Sequence, residues 1–186
     1  MIRDAFAFDA AAIAQIQVDA WRASYADIIS QQTLSRLSVQ SITRQWEQWF
    51  FTPGREQICL VHVSNTGKVL GYAMGGASRT HQSNAHLARA AGRAEIQVLY
   101  VAPDIKGQGA GRALMQAMAR RFDRQGWRSM EVWSLEANPS APFYRRMGGM
   151  QKAARATQVN GQTLPEIRFD WPTLKPLLHQ TELTWP

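Results

Sequence analysis

The stretch that decides the fold covers residues 95–114 and reads EIQVLYVAPDIKGQGAGRAL. Its first part, Ile96–Val101, is an apolar run typical of a buried strand. Pro103 ends this strand, and three glycines follow within residues 107–111. The apolar side chains beyond the glycines recur at helical spacing and predict a helix that ends near Gly126. They are Leu114, Met118 and Phe122.

Patterns on both sides of this stretch predict further helices and strands. Asp9 is a candidate N-cap for a first helix, and residues 34–51 read as a second helical region closed by Pro53-Gly54. The apolar runs predict strands over residues 57–63, 68–77, 129–135, 153–159 and 163–171, and a short helix over 142–147. Asn160-Gly161 joins the last two strands and is typical of a hairpin turn. Residues 78–93 are polar and are predicted to form a loop.

We expect one mixed α/β (α+β) domain over residues 1–172, built around a single sheet, with a tail at residues 173–186.

Composition excludes several classes of protein. The chain has 186 residues, of which 45% are hydrophobic, and this is enough to bury a core. Its one cysteine, Cys59, excludes an internal disulfide and a cysteine-only metal site. His62, His81, His86 and His179 show no metal-ligand spacing, so no metal is expected. No apolar run is long enough for a membrane helix, and the first residues do not resemble a signal peptide. A soluble cytoplasmic protein with no membrane partner is therefore expected.

Positive charge is concentrated in one segment of the chain. The formal net charge is +7. Residues 106–155 carry ten basic and three acidic side chains, whereas residues 1–105 carry nine and eight. Such a segment attracts anions, either a phosphorylated cofactor or nucleic acid, or it is simply a solvated basic face. Nucleic acid is the less favoured partner, because the aromatic residues of the segment alternate with core positions and predict no stacking platform.

The glycine-rich loop is a candidate anion site. Glycines at 107, 109 and 111 let backbone N–H groups converge without Cβ atoms in the way, and the following helix adds the positive end of its dipole. Lys106 and Arg112 place cations at its edges. The spacing is neither that of a P-loop nor that of a dinucleotide fingerprint. A tight strand-to-helix connection without a ligand is the alternative.

Three segments resemble the GNAT superfamily of acetyl-CoA-dependent N-acetyltransferases. Residues 106–111 resemble the acetyl-CoA signature [RQ]-x-x-G-x-[GA], with Lys106 departing from its first position. Residues 136–149, EANPSAPFYRRMGG, resemble the Asn…Phe-Tyr…Gly segment after the family's fifth strand. Residues 20–25, AWRASY, resemble a Trp-Arg-x-x-Tyr element of some bacterial members. The resemblance implies a mostly antiparallel twisted sheet, flanked by helices, whose one parallel strand pair is splayed at the acetyl-CoA site.

The resemblance also implies which residues bind acetyl-CoA, the expected co-substrate. Backbone groups of the strand before the loop would pair with pantetheine, the loop would hold the pyrophosphate, and an asparagine would bond to the pantetheine arm. Asn138 could equally serve only an Asn-Pro turn. The predicted cofactor-binding residues are Leu99, Tyr100, Val101, Lys106, Gly107, Gln108, Gly109, Ala110, Gly111, Arg112 and Asn138.

Two residues are candidates for catalysis. Glu95 starts the strand before the glycine loop and resembles the glutamate that acts as general base in histone-acetylating members. Partial burial would bring its pKa toward the working range, and the alternative is a strand-end glutamate in solvent or paired with Arg93. A chain of water molecules could accept the proton instead. Tyr144 is the candidate general acid for the leaving sulfur, because a phenol stays protonated at pH 7. The alternative is a buried core tyrosine.

The predicted function is transfer of an acetyl group to a primary amine of a small molecule or peptide, by direct attack in a ternary complex. Trp21 and Tyr25 lie four residues apart on the first helix and could line the acceptor pocket, although such pairs also occur in cores. The main alternative is a catalytically silent acyl-CoA sensor of the same fold. The tail that ends in Trp185-Pro186 could pack on a second copy and form a homodimer.

Overall fold

The strand Arg93–Val101 lies at the centre of the sheet. The computed structural model describes residues 1–79 and 91–178. Within these ranges one sheet of seven strands has the order β1-β2-β3-β4-β5-β7-β6. The strands are β1 (Ile2–Asp4), β2 (Ile58–Val63), β3 (Val69–Ala77), β4 (Arg93–Val101), β5 (Ser129–Leu135), β6 (Met150–Val159) and β7 (Gln162–Trp171). β4 and β5 are parallel, and the other neighbouring strands are antiparallel. The predicted fold is confirmed.

The helices follow the predicted order with two differences: one predicted region is divided, and a short helix forms in the segment predicted to be a tail. They are α1 (Ala10–Ser24), α2 (Gln31–Ser35), α3 (Val39–Phe51), α4 (Ala110–Arg124), α5 (Ala141–Arg146) and α6 (Lys175–Leu178). Residues 34–51 were predicted to form one helical region, but the structure divides them between α2 and α3. The Ser38 side chain accepts a hydrogen bond from the Ser41 N–H and starts α3 there, because an N-cap serine satisfies a first-turn donor.

Helices cover both faces of the sheet. α1 and α3 pack on one face, where Ile13, Trp46 and Tyr72 are buried together. α4 packs on the other face and buries Leu114 and Phe122 completely. Among the described residues, no helix is long and apolar enough to cross a bilayer.

The parallel pair β4–β5 separates after three residues. Arg93–Glu95 pair with Ser129–Glu131, and the pairing stops there. β4 continues along β3, with a bulge at Gln97, while β5 continues along β7. A gap therefore opens in the sheet between the second half of β4 and the second half of β5.

Buried carboxylates lie at the closed end of this gap. Glu95, Glu131 and Asp170 are neighbours in register across β4, β5 and β7. Arg93 bonds to Glu131 at 3.0 Å and to Asp170 at 3.1 Å, whereas Glu95 pairs with Arg79. The ion pair between Glu95 and Arg93 that the sequence suggested as an alternative is therefore not formed. These ion pairs join the strands where the gap begins.

The start of the predicted tail packs on the domain. Leu174 and Leu177 are buried in the same apolar cluster as α4. The boundary at residue 172 stays a prediction. Residues 179–186, on which the proposed homodimer contact falls, lie outside the described residues, as do His81, His86 and His179.

Candidate active site

A cavity of about 1110 Å³ occupies the gap between β4 and β5. Its walls come from both strands, from the end of α1, from the glycine-rich loop and from α5. The strand separation thus produces a cavity that reaches backbone groups of β4 and the first turn of α4. Most of the predicted site residues meet here.

The glycine-rich loop forms one end of the cavity. Gly107 and Gly109 have φ values of +82° and +86°, a conformation that favours glycine, and an added Cβ at either would meet no atom within 4 Å. Gly109 immediately precedes α4, whose first N–H groups lack partners within the helix. Lys106 and Arg112 line the same cavity. This end can hold an anion such as a phosphate.

The Tyr144 hydroxyl belongs to the cavity wall. Tyr144 lies in α5, which Pro142 helps to start; its ring meets Phe143 edge-on and lies tilted against Phe169. Among the residues that the structure describes, none forms a hydrogen bond with this hydroxyl. Burial raises its pKa, and the nearby Tyr25 raises it further. Tyr144 is therefore a protonated hydroxyl that remains available to a ligand.

Four side chains form two hydrogen-bonded pairs in the cavity wall. Trp21 Nε1 donates to Tyr100 Oη at 2.8 Å, and Asn138 Nδ2 donates to Tyr25 Oη at 3.1 Å. All four residues line the cavity. Burial raises the pKa of Tyr25, the Tyr100 hydroxyl lowers it by less, and the charge of Glu166 raises it. The aromatic pair predicted on α1 is thus part of the cavity wall.

Two of the predicted site residues lie outside the cavity wall. Glu95 is completely buried, and its carboxylate accepts hydrogen bonds from the backbone N–H of Arg79 at 2.7 Å and from the Arg79 side chain. Gln108 is exposed, and its amide donates to the Asp104 carbonyl at 3.4 Å. The base role of Glu95 and the cofactor contact of Gln108 stay predictions.

Glu166 is a cavity residue that sequence reasoning missed. It is the one acidic side chain among the described residues that line the cavity. Its carboxylate accepts a hydrogen bond from Arg155 Nε at 2.9 Å, and the Arg155 guanidinium stacks 3.8 Å from the centre of the Trp133 ring. The predicted hairpin placed Glu166 on a strand, but only the pairing of β7 with β5 brings it to the gap.

Arg146 is a second cavity residue that the sequence analysis did not single out. It follows Tyr144 by two residues in α5, and the resemblance gave it no role. It adds a third cation to the cavity wall beside Lys106 and Arg112. The charged lining therefore consists of these three cations and Glu166 within the described part of the chain.

The sequence is similar to those of known acetyltransferases. A model of the acetyltransferase (GNAT) family matches residues 13–149. The uncharacterised N-acetyltransferase YuaI of Bacillus subtilis (strain 168) is 30% identical over 176 residues, which cover 95% of each chain.

Solved structures share the fold at lower identity. An N-acetyltransferase from Staphylococcus aureus Mu50 has a TM-score of 0.70 at 22% identity, covering 94% of this chain and 98% of that one. YncA, a putative acetyltransferase from Salmonella typhimurium described with its cofactor acetyl-CoA, has a TM-score of 0.66 at 23% identity. The match covers 100% of this chain and 96% of that one. At these identities the two structures support the fold alone.

Proposed function

Because the chain belongs to the acetyltransferase (GNAT) family, we propose that it moves the acetyl group of acetyl-CoA to a primary amine of a small molecule or peptide. It is an N-acetyltransferase by family, and the acceptor class and the direct attack within a ternary complex are our proposals. One observation carries them: a single cavity contacts the glycine-rich loop, the Tyr144 hydroxyl and the aromatic end of α1. That the similar Salmonella protein has acetyl-CoA as its cofactor supports the choice of co-substrate.

The residues present fit acetyl-CoA. The loop at Gly107–Gly111 would bind the pyrophosphate through backbone N–H groups, and Lys106, Arg112 and Arg146 would balance its charge. The second half of β4 has no strand on its β5 side, so its backbone groups at Leu99–Val101 are open to an extended pantetheine arm. Bound acetyl-CoA supplies the thioester carbon that the amine attacks.

Tyr144 is the proposed general acid. When the amine nitrogen bonds to the thioester carbon, the C–S bond breaks and its electron pair passes to sulfur. A protonated phenol at the cavity wall can give that sulfur a proton, and its raised pKa keeps it protonated at neutral pH. We expect Tyr144→Phe to lower kcat at least about tenfold with little change in acetyl-CoA binding. Steady-state kinetics check this, and an unchanged kcat would remove Tyr144 from the mechanism.

The acceptor amine must lose a proton before it attacks. Glu95 was predicted to take this proton. Because its carboxylate is buried outside the cavity wall, water molecules would have to carry the proton to it from the cavity. Glu166 lines the cavity directly and lies close enough to Tyr25 to raise its pKa. We propose that cavity water carries the proton to one of these two carboxylates.

The first experiment is a thermal-shift titration with acetyl-CoA, followed by an amine screen with detection of free coenzyme A. A ligand at about 100 times its Kd stabilises the fold by about 2.7 kcal/mol, which raises Tm visibly. A rise with acetyl-CoA but not with NAD, together with amine-dependent release of coenzyme A, is the expected result. Binding without turnover of any amine would favour the silent acyl-CoA sensor. A folded protein with no shift would contradict both functions.

A further inference from the structure

Glu166 and the glycine-rich loop lie on opposite sides of the gap between β4 and β5. The loop with Lys106 and Arg112 follows the end of β4, whereas Glu166 pairs in register with Leu135, the last residue of β5. The two strands stop pairing well before these ends. The gap therefore separates these two cations, which fit the phosphates of coenzyme A, from the acidic side chain of the cavity.

An apolar wall lies beside Glu166 on its side of the gap. The side chains of this wall, which pack in one cluster and line the cavity, are Tyr25, Ile29, Leu135 and Val159. Leu164 packs in the same cluster and precedes Glu166 by two residues on β7. Side chains two residues apart on a strand point to the same face, so the Glu166 carboxylate extends from the face that carries the apolar wall.

Gln162 joins the two segments that form this wall. Its Nε2 donates to the Ile28 carbonyl at 3.0 Å, and its Oε1 accepts a hydrogen bond from the Ser30 N–H at 3.4 Å. Ile28 and Ser30 flank Ile29 in the segment after α1. The hairpin of β6 and β7 is thus tied to that segment, and the apolar wall is a fixed part of the cavity.

The Glu166 carboxylate keeps one oxygen for the cavity. Arg155 Nε donates to Oε2 at 2.9 Å, and no described residue donates to Oε1. The Arg155 side chain is 45% exposed, stacks on Trp133 and does not line the cavity. Because water solvates the arginine while the carboxylate belongs to the cavity wall, the pair presents its negative end to a ligand.

We propose that Glu166 selects the acceptor, which is an apolar primary amine without a carboxylate beside its reacting nitrogen. The proposal rests on the proposed function. The apolar body of such an acceptor packs on the apolar wall, and Glu166 attracts the ammonium form in which the amine enters. The carboxylate of an amino acid is one carbon from the nitrogen and would lie close to Glu166, where two anions repel each other.

The test compares three acceptors with the same aromatic body and a primary amine: 2-phenylethylamine, L-phenylalaninamide and L-phenylalanine. The last two are nearly equal in size and differ in the charge beside the amine. We expect kcat/KM of the wild type to be at least about tenfold higher for L-phenylalaninamide than for L-phenylalanine, and 2-phenylethylamine to be acetylated as well as the amide. Equal values for the amide and the acid would overturn the proposal while acetyl transfer stands. So would acetylation of other amines but of none of these three.

Glu166→Gln removes the charge and keeps the shape of the side chain. We expect the ratio of kcat/KM between L-phenylalaninamide and L-phenylalanine to fall to about twofold or less. Both acceptors react through the same amine, so this ratio does not depend on whether Glu166 also accepts the proton. Glu136→Gln is the matched control, since Glu136 is exposed and does not line the cavity, and it should keep the wild-type ratio. A wild-type ratio in Glu166→Gln would contradict the proposal.

Arg155→Gln separates the charge of Glu166 from the ion pair that holds it. This variant breaks the same ion pair but leaves the carboxylate in the cavity wall. The ratio between the amide and the acid should therefore be at least as high as in the wild type. If Arg155→Gln lost the selectivity as Glu166→Gln does, the ion pair and the shape of the hairpin would set it, and the proposal would be wrong.

Binding gives the same comparison without turnover. Isothermal titration of the protein saturated with coenzyme A should give a Kd at least about tenfold lower for L-phenylalaninamide than for L-phenylalanine, and similar values in Glu166→Gln. Failure of the amide to bind would overturn the proposal. If the wild type acetylates no amine, the proposed function fails, and this ratio of Kd values alone decides whether Glu166 selects by charge.

Discussion

Two glutamates differ in what their carboxylates contact, and this difference predicts which of them takes the proton of the acceptor amine. Glu95 is fully buried and paired with Arg79, whereas Glu166 faces the cavity with one bond from Arg155. We expect Glu166→Gln to lower kcat/KM for the amine about tenfold or more, because the cavity loses its acidic group. The dependence of kcat/KM on pH measures this effect.

Glu95→Gln should act on stability instead. It leaves the Arg79 cation without its partner. Breaking a fully buried ion pair costs about 3–5 kcal/mol of folding free energy. We expect a smaller loss here, because the Arg79 side chain is 43% exposed and water can solvate its charge. Glu136→Gln is the control, because Glu136 is exposed and does not line the cavity. A larger loss of kcat in Glu95→Gln than in Glu166→Gln would assign the base to Glu95.

The sequence analysis identified those cavity-lining residues that lie in local motifs. Tyr144 and the glycines lie within segments whose residue order alone resembles the family, and the structure places them at the cavity. Glu166 belongs to no such segment, and its place depends on β7 pairing with β5 across 31 residues of chain or more. A residue whose position depends on non-local pairing gives no signal in a local pattern.

At the scale of the loop between β4 and α4, the prediction concerns Gly109. Its φ of +86° strains any β-branched residue, and a side chain added there would extend into space that no protein atom occupies. Gly109→Val should therefore weaken acetyl-CoA binding by at least about tenfold. Isothermal titration measures this, with Gly161→Val as the control, since Gly161 has a similar φ of +83° in the hairpin turn away from the cavity. Equal affinity in a folded Gly109→Val protein would show that the loop does not hold the cofactor.

At the closed end of the gap, Arg93 joins two strands through two carboxylates. Arg93→Leu would remove one of the two cations beside Glu131, which is fully buried, and Asp170; Arg168 would remain, 3.8 Å from Glu131 and 2.7 Å from Asp170. Because Arg168 still balances part of this charge, we expect the free energy of unfolding, measured by urea denaturation, to fall by less than the cost of a fully broken buried pair, which is about 3–5 kcal/mol. Arg124→Leu is the control, because Arg124 is exposed on α4 and forms no ion pair with a described residue. Equal stability of the two variants would show that the ion pairs do not hold β4 to β5.

The elements themselves were mostly predictable because their patterns are local. The division between α2 and α3 was missed, since the helical spacing continues across Leu37 and only the capping bond of Ser38 reveals the new start. β1 was missed because three residues are too few for an alternating pattern, and its pairing with β2 is non-local. Periodicity therefore does not predict a helix start that is set by a capping hydrogen bond, or a short strand that is set by pairing with a distant segment.

Charge acts at the scale of the whole molecule. The segment 106–155 carries ten cations and supplies the excess positive charge, and five of these cations are either paired with an acidic side chain or line the cavity. Arg121 and Arg155 are paired with Asp4 and Glu166. Lys106, Arg112 and Arg146 line the cavity without an acidic partner among the described residues. Three cations without an acidic partner are therefore available to a ligand in the cavity, whereas the other cations of the segment do not line it.

The three cations of the cavity wall predict how salt affects binding. Coenzyme A carries about four negative charges, so raising ionic strength from about 0.05 to 0.5 M should weaken acetyl-CoA binding about tenfold through screening. Arg146→Gln should weaken binding at low salt and reduce the salt dependence, and Arg124→Gln, an exposed arginine away from the cavity, should do neither. Isothermal titration at several salt concentrations measures both effects. Affinity that is insensitive to salt would mean that backbone N–H groups alone hold the cofactor. The positive segment would then need another anionic partner, and steeply salt-dependent binding of RNA or DNA to the same surface would be the next measurement.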